Sequence, residues 1–142
     1  MKDSRKWQDV KIILNHTGTI LIGFSPLYLI PLLTSILCAE YPVAIDFAIS
    51  LGVTLTVGAG LALIFPSGHR TGWIHGMVTA GISWLAAMAC AALPYWLSGH
   101  YLSYLDAMFD VMSGLTTTGL TLIQDLDHAA NGLNMWRHVL TF

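Results

Sequence analysis

The run Thr116-Thr117-Thr118-Gly119-Leu120-Thr121 contains the residue types that suit a definite chemistry. An extended backbone presents a row of carbonyl oxygens, and such a row replaces the hydration shell of potassium in filters of the TVGYG kind. Gly119 reaches positive φ, which lets neighbouring carbonyls face one axis. Threonine hydroxyls add ligands or hold the backbone against its wall. We therefore predict that a monovalent cation binds along residues 117–121, the Thr-Gly strip, with ligands from Thr117, Thr118, Gly119, Leu120 and Thr121.

A short helix must carry this strip. Ser103 and Asp106 have the spacing of a capping box, and apolar residues recur after them at helical intervals. A helix over residues 104–115 is only ~18 Å long, whereas the hydrocarbon core of a bilayer is ~30 Å thick. We expect a re-entrant pore helix that enters from the outer face and does not cross. Its C-terminal end, with a partial negative charge, would face the cation.

Another interpretation of the same residues stays open. Gly119 is then a helix C-cap, and the threonines form an exposed outer loop. In that case the chain is a small accessory or regulatory membrane protein whose loop binds a partner. Depth separates the two interpretations, because irregular backbone lies at membrane depth only where it is buried in protein or lines a watery path.

The sequence as a whole is too apolar for an ordinary soluble domain, with 55% hydrophobic residues, 10% charged residues and a mean hydropathy of +0.65. Three stretches are long enough to span a bilayer: 17–38, 43–65 and 73–97. Pro26 and Pro31 predict a bend in the first. The predicted fold is an all-α integral membrane protein with three transmembrane helices, the re-entrant pore helix with its filter loop, and the start of a further membrane helix.

Basic residues predict the orientation, because short loops that carry them stay in the cytoplasm. Four basic residues precede the first span and Arg70 follows the second. The loop at residues 39–42 has no basic residue, and its one charged residue is the acidic Glu40. The N-terminus is therefore predicted to be cytoplasmic. Six Lys and Arg residues are too few and too scattered to bind nucleic acid.

Few other residues suggest chemistry. No nucleophile and base share a helix face, so we predict that the chain is not an enzyme and needs no cofactor. The group Asp125, Asp127 and His128 is interpreted as a solvated outer loop. Asp110 either raises the local cation concentration or accepts hydrogen bonds from nearby backbone. Arg137 is predicted to hold loop carbonyls or an acid.

Residues 106–121 closely resemble the first filter repeat of the TrkH/KtrB family of bacterial potassium-uptake proteins. The shared pattern is an acidic helix start followed by S-G-x-T-T-T-G-x-T. Trp136, Arg137 and His138 resemble the start of the family's next membrane helix. The two helices that precede the first repeat resemble the family's two-helix leader. Asp110 departs from the family, which more often has Glu there, and Leu120 stands where a smaller residue is frequent.

The resemblance implies a domain division and several partners. Residues 1–72 would be a tail with a two-helix leader, and residues 73–142 an incomplete first pore repeat. Because the family places four such repeats around one pore, the chain is expected to be a fragment. The intact protein would lie in the bacterial inner membrane, carry potassium inward, form a homodimer and be gated by a cytosolic nucleotide-binding regulatory subunit.

Overall fold

A computed structural model describes residues 2–66, 72–123 and 129–142, without the side chains of residues 2–6. Arg70 and the group Asp125, Asp127 and His128 lie outside the described residues. The described residues form helices and no strands, in the order α1 Lys2–Phe24, α2 Leu29–Leu37, α3 Tyr41–Ile64, α4 Trp73–Leu97, α5 Tyr104–Leu115 and α6 Asn131–Thr141. The predicted all-α class is confirmed.

Among the described residues, three segments are long and apolar enough to cross a membrane: Trp7–Leu37, Tyr41–Ile64 and Trp73–Leu97. Their outer surfaces are rich in large exposed apolar side chains, such as Leu63 and Trp73. Such a surface suits lipid and would be costly in water. The three predicted spans are therefore confirmed, whereas the depth at which α5 lies stays a prediction.

The first span differs in detail from its prediction. Its helix begins at Lys2, well before residue 17, since a helix continues through polar residues beyond the lipid. At Pro26 the α-helical geometry gives way to a 3-10 turn, Ser25–Tyr28, before α2 begins. The sequence predicted a bend here, because proline lacks the N–H group that an α-helix requires.

The helices α1 and α3 approach each other closely at two glycines. A Cβ atom added to Gly18 would lie 2.5 Å from the carbonyl oxygen of Gly58, closer than real Cβ atoms come to any oxygen. Asn15 of α1 also donates to the carbonyl of Ala62 in α3 at 2.8 Å. Small residues at such a contact let two helix backbones approach each other closely.

A fully buried tryptophan ties α6 to the helices that precede α5. The Trp136 ring stacks on Tyr28 with centroids 4.6 Å apart and meets Phe47 edge-on at 5.9 Å. Its Nε1 donates to the carbonyl of Ala91 in α4 at 3.0 Å. Residues on both sides of the predicted boundary at residue 72 thus share one core.

Candidate ion-binding strip

The helix before the strip begins at the predicted cap. The Ser103 hydroxyl accepts from the Asp106 amide at 3.2 Å, and the Asp106 carboxylate accepts from the Ser103 amide at 3.1 Å. These two bonds satisfy backbone donors that a helix start leaves free. Farther along, Gly114 faces Leu140 of α6, where an added Cβ would lie 3.2 Å from the Leu140 Cβ. The helix α5 is therefore fixed at its start and packed against α6 at its end.

The C-terminal end of α5 closes in a Schellman motif. The Thr118 amide donates to the Ser113 carbonyl at 2.9 Å, and the Thr117 amide donates to the Gly114 carbonyl at 2.8 Å. The residue in the left-handed conformation is Thr117, with φ of +55°. Gly119 is therefore not the C-cap glycine of the alternative interpretation. A β-branched residue at positive φ stores strain of about 1–3 kcal/mol, a feature that clusters at functional sites.

Beyond this cap the chain turns again at Gly119, which has φ of +78°. Residues 116–120 are all exposed. Within the described part of the chain, four strip carbonyls accept no hydrogen bond, those of Thr117, Thr118, Leu120 and Thr121. The strip thus presents unpartnered oxygen acceptors in front of the negative end of α5.

Asp110 anchors the far end of the strip to the middle of α5. Its buried carboxylate accepts from the Thr121 hydroxyl at 2.8 Å, from the Leu122 amide at 2.9 Å and from the Tyr101 hydroxyl. A buried carboxylate needs several donors of this kind to offset its lost hydration. Of the two interpretations of Asp110, the geometry matches the one in which it accepts hydrogen bonds from nearby backbone.

Tyr101 is suited to remain a hydrogen-bond donor in this network. Burial raises the pKa of its phenol, and the hydrogen bond to the Asp110 carboxylate raises that pKa further. The hydroxyl therefore stays protonated at physiological pH. Because a protonated phenol can donate to a carboxylate, the Asp110 carboxylate keeps all three of its hydrogen-bond donors.

The centre of the strip is held from α6. The Arg137 guanidinium donates to the Gly119 carbonyl at 3.0 Å. The prediction that Arg137 holds a loop carbonyl is confirmed. Gly119 thus has two separate properties, a backbone conformation open to glycine and a carbonyl bonded to a cationic side chain. That carbonyl keeps a second lone pair.

The strip is consequently attached at three points: the Schellman motif, Arg137 and Asp110. The sequence indicated the strip, the cap and the role of Arg137, whereas it gave no signal for Tyr101 or for the strained Thr117. Among the described residues, no three His, Cys, Asp or Glu side chains lie close enough together to hold a metal ion. That the five strip residues are ion ligands stays a prediction.

Three apolar helices of spanning length define the chain as a multi-pass integral membrane protein. Within that class it is homologous to the Trk system potassium uptake proteins along nearly its whole length, which confirms the resemblance to the TrkH/KtrB family.

Three relatives illustrate this homology. The Trk system potassium uptake protein TrkH of Halomonas elongata is 33% identical over 135 residues, which is 92% of this chain and 27% of that protein. TrkG of Escherichia coli is 24% identical over 94% of this chain and 28% of its own length. An uncharacterized cation transporter of Methanocaldococcus jannaschii is 41% identical over 63 residues, 44% of this chain and 13% of that protein.

The chain thus spans about a quarter of the length of the two Trk proteins. No protein-family model matches it, and no solved structure matches it significantly.

Proposed function

We propose that this chain supplies one side of a potassium-conducting path, in which the backbone oxygens of residues 117–121 replace water around the ion. The observation that carries the proposal is a strip that is fixed at three points and has four carbonyls that accept no hydrogen bond from any described residue. A filter must hold its oxygens at set distances without closing on itself. Potassium is the ion in the names of the relatives that match 92–96% of the chain.

Electrostatics favours a cation at the strip. The C-terminal end of α5 carries about half a negative charge, and the buried Asp110 carboxylate lies just behind the far end of the strip. Arg137 acts in the opposite sense where it contacts Gly119. A partly balanced field suits conduction, since an ion must bind well enough to enter and weakly enough to leave.

The work of such a chain is passive. We propose that it has no enzymatic activity and that the membrane potential drives the ion, at about 2.3 kcal/mol per charge for each 100 mV. The basic residues near its start support a cytoplasmic N-terminus, with α5 re-entering from the outer face of a bacterial inner membrane. The family resemblance supports a homodimer and a cytosolic nucleotide-binding regulatory subunit as partners.

One strip covers only one side of an ion, so a closed path requires further strips from the same protein or from other copies. The relatives are about three and a half times as long as this chain, because 135–139 matched residues make up 27–28% of each, and this leaves room for such segments. The accessory-protein alternative is disfavoured because those relatives, named as uptake proteins, match nearly the entire chain and not the strip alone.

The first experiment is potassium-dependent growth of an uptake-deficient bacterium that carries the complete gene encoding this chain. Gly119→Ser is compared with the parent at equal amounts of membrane protein. Rescue by the parent together with loss of rescue, or a changed cation preference, in the variant is the expected result. A well-expressed parent that gives no rescue contradicts the transport proposal. Rescue by both with unchanged preference leaves transport standing and removes Gly119 from the filter.

A further inference from the structure

We propose that Glu40, in the turn between α2 and α3, is a positioning residue for the Thr-Gly strip and acts through α6 and Arg137. The proposal rests on the proposed function of the strip. Glu40 touches none of the strip residues, so any effect on the ion must pass through an intervening element. The described contacts supply such an element in three steps.

The first step is the fixed backbone of Glu40. Ala39 has φ of +59°, and the Glu40 amide donates to the Ser35 carbonyl at 2.8 Å, which closes α2 in a Schellman motif. The Glu40 carbonyl in turn accepts from the Ala44 amide at 3.0 Å in the first turn of α3. Two helix ends therefore hold this residue before its side chain makes any contact.

The second step is the carboxylate of Glu40, which caps the start of α6. One oxygen accepts from the Asn131 amide at 2.9 Å and from the Asn131 side chain at 3.0 Å, and the other accepts from the Gly132 amide at 3.1 Å. A carboxylate at a helix N-terminus satisfies free backbone donors and complements the partial positive charge there. Asn131 and Gly132 lie 91 and 92 positions after Glu40 in the sequence.

The fit at this junction is close as well as polar. A Cβ atom added to Gly132 would lie 1.9 Å from the Ser35 hydroxyl oxygen, which itself donates to the Pro31 carbonyl at 2.9 Å. The end of α2 and the start of α6 therefore pack with no room for a side chain. A change in the Glu40 cap would shift α6 at this end and not merely loosen a loop.

The third step runs along α6 to the strip. Arg137 follows Asn131 by six residues, about 9 Å along the helix axis, and donates to the Gly119 carbonyl at 3.0 Å. Since α6 is only 11 residues long, a displacement at its start carries to Arg137. The helices before residue 72 thus influence the strip through α6, which acts as a rigid connection. Glu40 makes the polar contacts that hold the N-terminal end of α6.

The test measures potassium and sodium uptake by the complete gene product with Glu40→Gln, Arg137→Gln and the double variant. Gln keeps the size of Glu40 but loses the charge and one acceptor. We expect normal amounts of protein in the membrane, a KM for potassium raised about threefold to tenfold, and a lower preference for potassium over sodium. The double variant should be no worse than Arg137→Gln, because the two residues act along one route.

Two controls accompany the variants. Asp46→Asn removes an equal charge near the same end of α3. Within the described residues no donor of α6 hydrogen-bonds to the Asp46 side chain, so this variant should leave KM unchanged. Glu40→Asp keeps the charge and should restore part of the affinity.

Several outcomes would overturn the proposal. One is a Glu40→Gln variant that lowers only the amount of protein in the membrane, with KM and cation preference as in the parent. Another is a double variant whose defect equals the combined defects of the two single changes. A parent that transports no cation contradicts the proposed function and this inference together, whereas an active parent with an unaffected Glu40→Gln variant overturns the inference alone.

Discussion

The Thr121 hydroxyl donates to the Asp110 carboxylate at 2.8 Å, and this bond joins the far end of the strip to the helix that carries it. The two residues are 11 positions apart, and the next amide, that of Leu122, donates to the same carboxylate at 2.9 Å. The segment between them is therefore a closed loop on α5 and not a free linker.

Asp110→Asn is expected to impair uptake through this loop. The amide nitrogen would face one of three donors, and an unsatisfied buried donor costs about 1–3 kcal/mol. We expect a higher KM for potassium and a weaker preference for it, measured by uptake of potassium and sodium. Asp106→Asn is the matched control, because it keeps an acceptor for the Ser103 amide at the other end of the helix. Equal effects of the two changes would contradict the anchoring role.

Arg137→Gln and Arg137→Lys separate charge from geometry at the centre of the strip. Gln removes the charge, whereas Lys keeps it on an ammonium group without the planar fork of a guanidinium. If the bond to the Gly119 carbonyl positions the strip, both variants should lose cation preference, and Gln should lose more. Full uptake with unchanged preference in Arg137→Gln would refute a role for this bond. The measurement is competition between potassium and sodium in the same uptake assay.

Thr117→Gly is expected to stabilise the protein. Threonine at φ of +55° is strained, and glycine relieves the strain by about 1 kcal/mol, net of its larger conformational entropy. Thermal unfolding in detergent should show a higher midpoint, while uptake becomes less selective because a threonine hydroxyl is lost. Thr116→Gly is the control, since Thr116 has φ of −94° and gains nothing from glycine. A lower midpoint for Thr117→Gly would mean that the strain is absent in the intact protein.

Gly18→Ala is expected to destabilise the contact between α1 and α3. The added Cβ would meet backbone atoms, at 2.5 Å from Gly58 and 2.7 Å from Ala62, which cannot rotate away. Overpacking of this kind costs about 1–3 kcal/mol. Gly23→Ala lies on the same helix with nothing within 4 Å of its added Cβ and should unfold like the parent or later. The measurement is thermal unfolding of both variants. Equal midpoints for the two would contradict the close approach of α1 and α3.

The fold was predictable where the physics is local. Apolar length alone located the spans, with the second predicted at 43–65 and observed at Tyr41–Ile64. The capping box of Ser103 and Asp106 located the start of α5, since both partners lie within one turn. The start of α1 was missed because hydropathy reports the part of a helix that faces lipid and not the polar turns before it.

The strip was predictable in composition but not in its supports. Glu40 and Asn131 are 91 residues apart, and no local pattern connects an acid in one loop with a helix start beyond three further helices. Thr117 carries no signal of its left-handed backbone, because threonine disfavours that conformation and the surrounding hydrogen bonds impose it. For Asp110 the sequence left two readings open, and only the position of Leu122 in space distinguished them.

The packing of the Trp136 ring against Tyr28 and Phe47 also has a consequence for synthesis. Tyr28, which stacks on the tryptophan, is made 108 residues earlier, as 136 minus 28 gives. At ribosomal speeds of about 5–20 residues per second, that gap lasts roughly 5–20 s. For those seconds Tyr28 and Phe47 lack the ring that they contact in the folded chain. Slower translation before residue 136 would lengthen the interval in which this part of the core is incomplete.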